Sequence, residues 1–137
     1  MFDFKITGPR RVEWFRAVIY YGKKSGKRYE FPVEYAQDGE EIFILPGTPE
    51  RKTWWRNLEG GATIGLIKRA QFLAGHAELL QGKRFERIIV DALKVYLRRF
   101  PASARQHKVS TLPDGSFSPA DLNRVAQSII LVRVKFL

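Results

Sequence analysis

Residues 15–45 read FRAVIYYGKKSGKRYEFPVEYAQDGEEIFIL, and this stretch decides the fold. Its runs of β-branched and aromatic residues predict three strands, at 15–21, 29–37 and 41–45. A short basic turn at 22–27 joins the first two runs, and Asp38-Gly39 is a strong hairpin signal between the second and the third. We therefore expect an antiparallel meander in this part of the chain.

Further elements follow along the chain. Three more strands are predicted at 62–67, 70–80 and 128–136. A short helix at 52–59 should end at Gly60-Gly61, and a long helix should open after Gly82 and stop at Pro101. Apolar residues recur on the long helix at i, i+3 and i+4, which predicts a buried face made of Phe85, Ile88, Ile89, Ala92, Leu93, Tyr96, Leu97 and Phe100.

Residues 101–124 are expected to be mostly irregular, except for a short helix from Pro119 to Val125 that Ser118 caps. Without this last short helix, the predicted order is β-β-β-α-β-β-α-β, which is not the alternation of a doubly wound sheet. Six strands with so few helices are better closed into a small barrel, because closure removes exposed edges. The 137 residues fit one domain, residues 1–137.

Charge and composition restrict the class of protein. The chain has 24 Lys and Arg against 14 Asp and Glu, a net charge of +10, with basic clusters at 1–30 and 83–108. This excess suggests an anionic partner, which could be nucleic acid, anionic lipid or a phosphorylated small molecule. The absence of Cys excludes disulfides and thiolate chemistry. No apolar run approaches the roughly 20 residues of a membrane span, so we expect a soluble, cytoplasmic protein.

Two neighbouring segments carry the candidate site. The basic turn offers Lys23, Lys24 and Lys27 as cations, and Ser25 as a short-range donor, for a phosphate or carboxylate. In the short helix that follows, Trp54 and Trp55 point about 100° apart, so one should pack in the core and the other should line a groove. The simpler interpretations, a solvated hairpin turn and two packing indoles, carry about equal weight.

Other chemistries find less support in the sequence. His76 and His107 have no further ligand at metal-binding spacing, so no metal site is predicted. No pair of carboxylates and no nucleophile motif stands out, and we assign no catalytic residue. Small barrels can bind single-stranded nucleic acid by stacking, but the paired tryptophans fall on the predicted helix and not on a strand face. Nucleic acid is therefore not the partner that we expect.

Residues 22–61, GKKSGKRYEFPVEYAQDGEEIFILPGTPERKTWWRNLEGG, resemble the deazaflavin-dependent nitroreductase family, also described as nitroreductase/quinone reductase-like. The family pattern runs Gly-Arg-Lys-Ser-Gly-Lys, then Pro-[Leu/Val], an Asp-Gly hairpin and [Trp/Tyr]-[Trp/Tyr]-x-Asn-Leu, in the same order as here. The resemblance implies a split β-barrel, here six-stranded, that binds coenzyme F-420, with FMN used by relatives of the same fold. It also implies an oxidoreductase that passes hydride to a quinone, an enone or a nitro compound.

Carried over by position, the resemblance implies a set of cofactor contacts. The set is Lys23, Lys24, Ser25, Gly26, Lys27, Tyr29, Pro32, Val33, Leu45, Pro46, Gly47, Lys52, Trp55 and Asn57. Nitroreductases of this family carry a Tyr-Pro-Pro-Tyr pattern after the long helix, whereas residues 100–106 here read FPASARQ. This departure leaves a non-catalytic cofactor carrier as an alternative. Split barrels often pair, so a homodimer is also expected.

Overall fold

The computed structural model describes residues 14–22, 24–46, 54–68 and 71–137. In these residues the strands β1 to β7 are Trp14–Tyr21, Arg28–Glu34, Ala36–Asp38, Glu41–Ile44, Ala62–Lys68, Gln71–Leu80 and Leu131–Phe136. The helices α1 to α3 are Glu86–Arg99, Pro101–Gln106 and Pro119–Ala126. Two 3-10 helices, Trp54–Leu58 and Lys83–Phe85, complete the described elements.

All seven strands join one antiparallel sheet in the order β2-β1-β5-β6-β7-β4-β3. The two edge strands, β2 and β3, are separated along the chain by Tyr35 alone. A flat sheet of this size would hold its edges roughly 29 Å apart at about 4.8 Å per strand. One intervening residue spans at most about 7 Å from Glu34 to Ala36. The sheet must therefore curl until its edges approach each other at Tyr35.

The predicted six-stranded closed barrel is wrong in two respects. The run at 29–37 forms two strands rather than one, which raises the number of strands to seven. The sheet also stays open, since β2 bonds to β1 and β3 bonds to β4 at the opposite edge. Tyr35 stands at the break between them and is only 2% exposed, so its ring fills the interior at the corner where the chain changes edges.

The hairpin at Asp38-Gly39 is confirmed. Asp38 pairs with Glu41, and Gly39 adopts a φ of 62°, which a glycine accepts without steric cost. The last strand begins at Leu131 and not at Ser128, because the amide of Ser128 donates to the Val125 carbonyl and still belongs to a helix end.

The helices agree with the sequence in part. The buried stripe of α1 is confirmed at Ile89, Ala92, Leu93, Tyr96 and Leu97, whereas Ile88 is 39% exposed and lies off that face. The capped helix is confirmed as α3, where the Ser118 hydroxyl accepts from the Asp121 amide at 3.3 Å.

The expectation of an irregular segment after the long helix is wrong, because α2 begins at Pro101. Proline is well suited to the first position of a helix, since its φ is preset and an amide hydrogen there would have no helical partner. The break between α1 and α2 is the single extended residue Phe100. The described residues accordingly contain three α-helices: α1 and α3 correspond to predicted helices, and α2 was not predicted.

The sheet buries apolar residues on both faces. On β4, Ile42 and Ile44 point into the curled sheet, while Phe43 points outward to the helices, as strand alternation requires. The barrel-interior cluster is Val18, Tyr20, Val33, Tyr35, Ile42, Ile44, Trp55, Leu58, Ile64, Leu66, Ala77, Ile130, Val132 and Val134. The helices cover the outer face around β3 and β4. Among the described residues, no helix has the length and apolarity that crossing a membrane requires.

Candidate functional site

A cleft of about 650 Å³ opens where the ends of β1 and β2 face the 3-10 helix Trp54–Leu58. This volume is within the range of small-molecule and cofactor sites, which runs from about 300 to 1,000 Å³. The cleft combines aromatic, cationic and amide side chains. Its lining is Tyr20, Gly22, Lys24, Ser25, Tyr29, Trp54, Arg56, Asn57 and Glu59.

Three aromatic rings form one wall of the cleft. Tyr20 and Tyr29 are directly opposite in the β1–β2 register, so their side chains share a face and stack at 5.2 Å with an angle of 19°. The ring of Trp54 lies 6.0 Å from that of Tyr20. Tyr29 is 40% exposed and Tyr20 only 7%, so the wall runs from solvent toward the barrel interior. A flat ring could lie against such a surface.

The 3-10 geometry of residues 54–58 decides which indole faces the cleft. With three residues per turn, positions 54 and 57 share one face, while positions 55 and 58 share another. Trp54 and Asn57 accordingly line the cleft, and the side-chain Nδ2 of Asn57 donates to the Trp54 backbone carbonyl at 2.9 Å. Trp55 and Leu58 are buried in the barrel-interior cluster. The prediction that the two tryptophans divide between core and groove is confirmed.

The basic turn is a closed backbone structure. The Gly22 amide donates to the Lys27 carbonyl at 2.9 Å, and the Gly26 amide donates to the Gly22 carbonyl at 2.9 Å. The Ser25 hydroxyl accepts from the Lys27 amide at 3.1 Å. These bonds hold Lys24 and Ser25 at the mouth of the cleft, where a cation and a hydroxyl lie together.

Gly22 is the point where the turn meets the wall. A Cβ atom at this position would lie 2.8 Å from Ser25 Oγ, 3.2 Å from Tyr29 Cε2 and 3.9 Å from Asn57 Oδ1. A methyl group at this position would overlap the Ser25 hydroxyl and crowd the Tyr29 ring, so the close approach of the turn to the wall requires glycine. A side chain there would occupy the mouth of the cleft, so this set of residues fits a ligand with an aromatic ring and an anionic arm.

The electrostatics of the cleft favour an anion with a polar edge. Lys24 and Arg56 contribute two positive charges and Glu59 one negative charge. The Arg56 guanidinium also lies 5.4 Å from the centre of the Trp55 ring, which helps to hold it beside the cleft. Burial raises the pKa of Tyr20, and the neighbouring Tyr29 adds to the rise. The Tyr20 hydroxyl is therefore protonated at neutral pH.

The predicted cofactor residues fall into separate places. Lys24, Ser25, Tyr29 and Asn57 come together in the cleft. Gly26 and Lys27 complete the turn beside it without lining it. The other four with described side chains lie elsewhere: Val33 and Trp55 are in the barrel-interior cluster, Pro46 is buried, and Leu45 packs toward the helices. A cofactor role for any of these residues stays a prediction.

Some predicted positions lie outside what the structure describes. Lys23, Gly47 and Lys52 are not among the described residues, and of Pro32 the structure describes the backbone only. Pro32 lies in the edge strand β2, where the missing backbone donor of a proline is tolerated. The predicted helix at 52–59 is described only as the 3-10 helix from Trp54, so its start also lies outside the described residues.

Five residues of the cleft do not appear among the predicted contacts, namely Tyr20, Gly22, Trp54, Arg56 and Glu59. The sequence does contain a pattern that could have identified Tyr20. Tyr20 lies two residues before the turn that begins at Gly22, and Tyr29 lies two residues after the turn ends at Lys27. This equal spacing makes the two tyrosines cross-strand partners. Trp54 is not in the predicted set because the resemblance assigns the contact to Trp55, and the residues alone leave open which indole lines the groove.

Comparison with solved structures shows which fold the chain resembles. The sequence matches no family model and no curated protein. Among solved structures, an F420-H2-dependent reductase, FDR-A, is similar with a TM-score of 0.57 and 15% identity, over 87% of this chain and 91% of that one. A structure described as a domain-swapped dimer is similar with a TM-score of 0.59 and 15% identity, over 95% of this chain and 84% of that one. The chain has a split-barrel-like fold.

Proposed function

We propose that the cleft binds a flavin-type nucleotide and that the protein is an oxidoreductase. The preferred cofactor is coenzyme F-420, and FMN is the alternative. The observation that carries this function is the meeting of an aromatic wall and a basic turn at Gly22, in one cleft of about 650 Å³. Aromatic surface suits an isoalloxazine or deazaflavin ring, while a cation beside a hydroxyl suits its phosphate.

Each part of the cleft would have a separate task in holding the cofactor. The ring would pack against Tyr29, Tyr20 and Trp54, since the Tyr20 ring already lies 5.2 Å from that of Tyr29 and 6.0 Å from that of Trp54. Lys24 and Ser25 would bind the phosphate, and Gly22 would allow the anionic arm to approach the backbone. The resemblance adds further contacts at Lys23, Gly26, Lys27, Pro32, Val33, Leu45, Pro46, Gly47, Lys52, Trp55 and Asn57.

A bound, reduced deazaflavin or flavin would supply the hydride for a planar acceptor such as a quinone, an enone or a nitro compound. The chain would bind and orient both molecules and keep water from the reacting faces. The neutral Tyr20 hydroxyl would be able to donate a hydrogen bond inside the cleft. The sequence shows no acid–base pair, and hydride transfer of this kind requires no nucleophilic side chain.

The fold comparison is consistent with this function but is not evidence for it. FDR-A, a chain of similar fold, is by its name an F420-H2-dependent reductase, but at 15% identity the likeness concerns the fold alone. The cleft residues therefore carry the functional argument.

A cofactor carrier without turnover is the second candidate. The segment after α1 has no tyrosine, since residues 100–106 read FPASARQ. Tyr96, the tyrosine nearest to it in the sequence, is 4% exposed and its ring packs 4.9 Å from that of Phe100. It therefore faces the helix-side core, the buried cluster between the helices and the outer face of the sheet, and not the cleft. The chain thus lacks the tyrosine pattern that the resemblance associates with substrate reduction.

An assay with reduced cofactor separates these two functions. The purified protein would be mixed with reduced F-420, or separately with reduced FMN, and with a panel of quinones, enones and nitro compounds. Steady, acceptor-dependent oxidation above the protein-free rate supports the oxidoreductase and rules out the carrier. Tight binding with no oxidation of any acceptor would leave the carrier. A protein that binds neither cofactor would contradict both functions.

We also propose that the protein forms a homodimer. Residues 1–137 would form a single cofactor-binding domain that pairs into a homodimer. Light scattering of the purified chain tests the pairing, since a homodimer has twice the mass of the 15.8 kDa chain. A monomeric mass over the working range of concentration would contradict it.

A further inference from the structure

A basic surface lies on the helices, away from the residues that line the cleft. Residues 83–108 contain eight basic and two acidic residues, so six of the ten net positive charges fall in this segment. All eight basic side chains are exposed. We call them the basic cluster; they are Lys83, Arg84, Arg87, Lys94, Arg98, Arg99, Arg105 and Lys108.

No ion pair compensates the basic cluster within the part of the chain that the structure describes. The cations that pair with carboxylates there are Arg28, Arg124, Arg133 and Lys135, which all lie outside the cluster. The carboxylate of Glu86 accepts from the Gln127 side chain at 3.1 Å and is thus directed toward α3. An excess of unpaired positive charge at this density attracts an anionic surface.

Two guanidinium groups of the cluster rest on aromatic rings instead of carboxylates. Arg84 lies 5.2 Å from the centre of the Phe85 ring, and Arg99 lies 5.7 Å from that of Phe100. Such contacts orient a guanidinium without neutralising it. The fold therefore positions these charges and leaves them available.

The centre of the cluster is a straight stripe on α1. Arg87, Asp91, Lys94 and Arg98 recur at i, i+4, i+7 and i+11, all are exposed, and they span about 17 Å along the helix axis. The opposite stripe of α1 is buried in the helix-side core. Since the apolar face of the helix is already occupied, α1 can meet a partner through its charges but cannot insert into an apolar phase.

We propose that the basic cluster docks the protein onto the surface of an anionic lipid bilayer. Acidic phospholipids are mobile and gather around cations of any spacing, so the carboxylate of Asp91 within the stripe does not prevent contact. This surface is separate from the cleft and does not depend on the cofactor.

The cluster fits nucleic acid less well. Single strands are bound by stacking bases on exposed aromatic rings, and the exposed aromatics among the described residues, Tyr21, Tyr29 and Phe72, all lie on strands of the sheet. Duplexes present phosphates at fixed spacing, and the stripe interrupts its cations with Asp91. We expect lipid binding to be reversible and sensitive to salt, because it rests on charge without an inserted apolar anchor.

Vesicle co-sedimentation of the full chain tests this inference. We expect binding to phosphatidylcholine vesicles that contain phosphatidylglycerol, little binding to phosphatidylcholine alone, and release by high salt. The double variant Lys94→Gln/Arg98→Gln should lower the partition coefficient roughly tenfold. Its matched control, Arg28→Gln/Lys135→Gln, removes the same two charge types from the sheet, at side chains 51% and 55% exposed, and should change binding less than about twofold.

Three outcomes would overturn the inference. These are absence of binding to phosphatidylglycerol vesicles at low salt, equal loss of binding in both double variants, and binding to duplex DNA as tight as to the anionic vesicles. Thermal unfolding of each variant verifies that it is folded. If Lys94→Gln/Arg98→Gln fails to fold, Lys83→Gln/Arg84→Gln removes the same two charge types from the cluster, and the same tenfold loss is expected.

Discussion

At the scale of the residue, the cleft depends on how adjacent side chains are divided between core and surface. The sequence shows two neighbouring indoles and predicts that they separate, but it does not show which one faces the ligand. That choice follows from the three-residue turn of the 3-10 helix, which places Trp54 with Asn57 and Trp55 with Leu58. Lys24, Ser25, Tyr29 and Asn57 could be found from sequence because their segment carries a recognisable pattern.

Replacement of Trp55 should mainly lower stability, whereas replacement of Trp54 should mainly weaken cofactor binding. Trp55→Ala empties a site in the barrel interior, where the indole is 7% exposed, and should lower the free energy of unfolding by about 3–5 kcal/mol. Trp54→Ala should lower it by about 1 kcal/mol but weaken cofactor binding roughly tenfold through the lost ring contact. Urea denaturation and cofactor titration of both variants measure the two quantities. A larger stability loss for Trp54→Ala would contradict the assignment.

His107 should make stability depend on pH below neutrality. Burial lowers the pKa of this side chain, and the positive charge of Arg124 lowers it further. The unfolded chain therefore binds a proton at His107 more readily than the folded chain, so the stabilisation is complete above the ordinary pKa near 6.5 and is lost as the pH falls below it.

Urea midpoints at pH 7.5 and 5.5 measure this contribution, because most carboxylates stay ionised across that interval. The wild-type chain should lose stability on acidification, and His107→Gln should lose less. An identical pH dependence in the two proteins would show that His107 does not contribute.

At the scale of the element, alternating apolar residues and turn residues are enough to predict most strands. The remaining strand boundaries depend on which strands pair in the folded sheet. The hairpin at Asp38-Gly39 and the cap at Ser118 could be predicted because their geometry is local. The break at Tyr35 could not be predicted, because the residues on both sides of it have strand character. They form two strands only because β2 and β3 lie at opposite edges of the sheet. In the same way, Pro101 predicts a helix end equally well as a helix start.

Two glycines in neighbouring strands should respond differently to an added methyl group. At Gly75 a Cβ would lie 2.6 Å from Val134 Cγ1 and 3.2 Å from the Lys135 carbonyl oxygen, and Val134 is fully buried. Gly75→Ala should therefore lower the free energy of unfolding by about 1–3 kcal/mol.

Gly65→Ala is the matched comparison. Its methyl group would lie 2.8 Å from Phe72 Cε1, but that ring is 63% exposed and can rotate outward. We expect stability within about 1 kcal/mol of the wild type. Chemical denaturation of both variants measures the difference, and equal losses would show that the space around Gly75 is not restricted by its neighbours.

At the scale of the whole molecule, a curled and open sheet brings an aromatic wall, a basic turn and a short helix to one cleft. The order of the strands follows from pairings far apart in the sequence, such as β6 with β7, and local patterns do not specify these. A mainly β, barrel-like fold could be predicted from the resemblance and from the excess of strands. The seventh strand and the open edge required the structure. The basic segment at 83–108 is visible in the sequence, and the structure adds that all eight of its cations are exposed.

The central claim is that this cleft binds a flavin-type cofactor, and titration of intrinsic tryptophan fluorescence with F-420, and separately with FMN, tests it most directly. We predict saturable quenching by one of them and at least tenfold weaker binding in Lys24→Ala. Lys135→Ala, which removes a lysine outside the cleft, should bind as the wild type does. Absence of saturable quenching by either cofactor, or an equal loss of affinity in both variants, would contradict the claim.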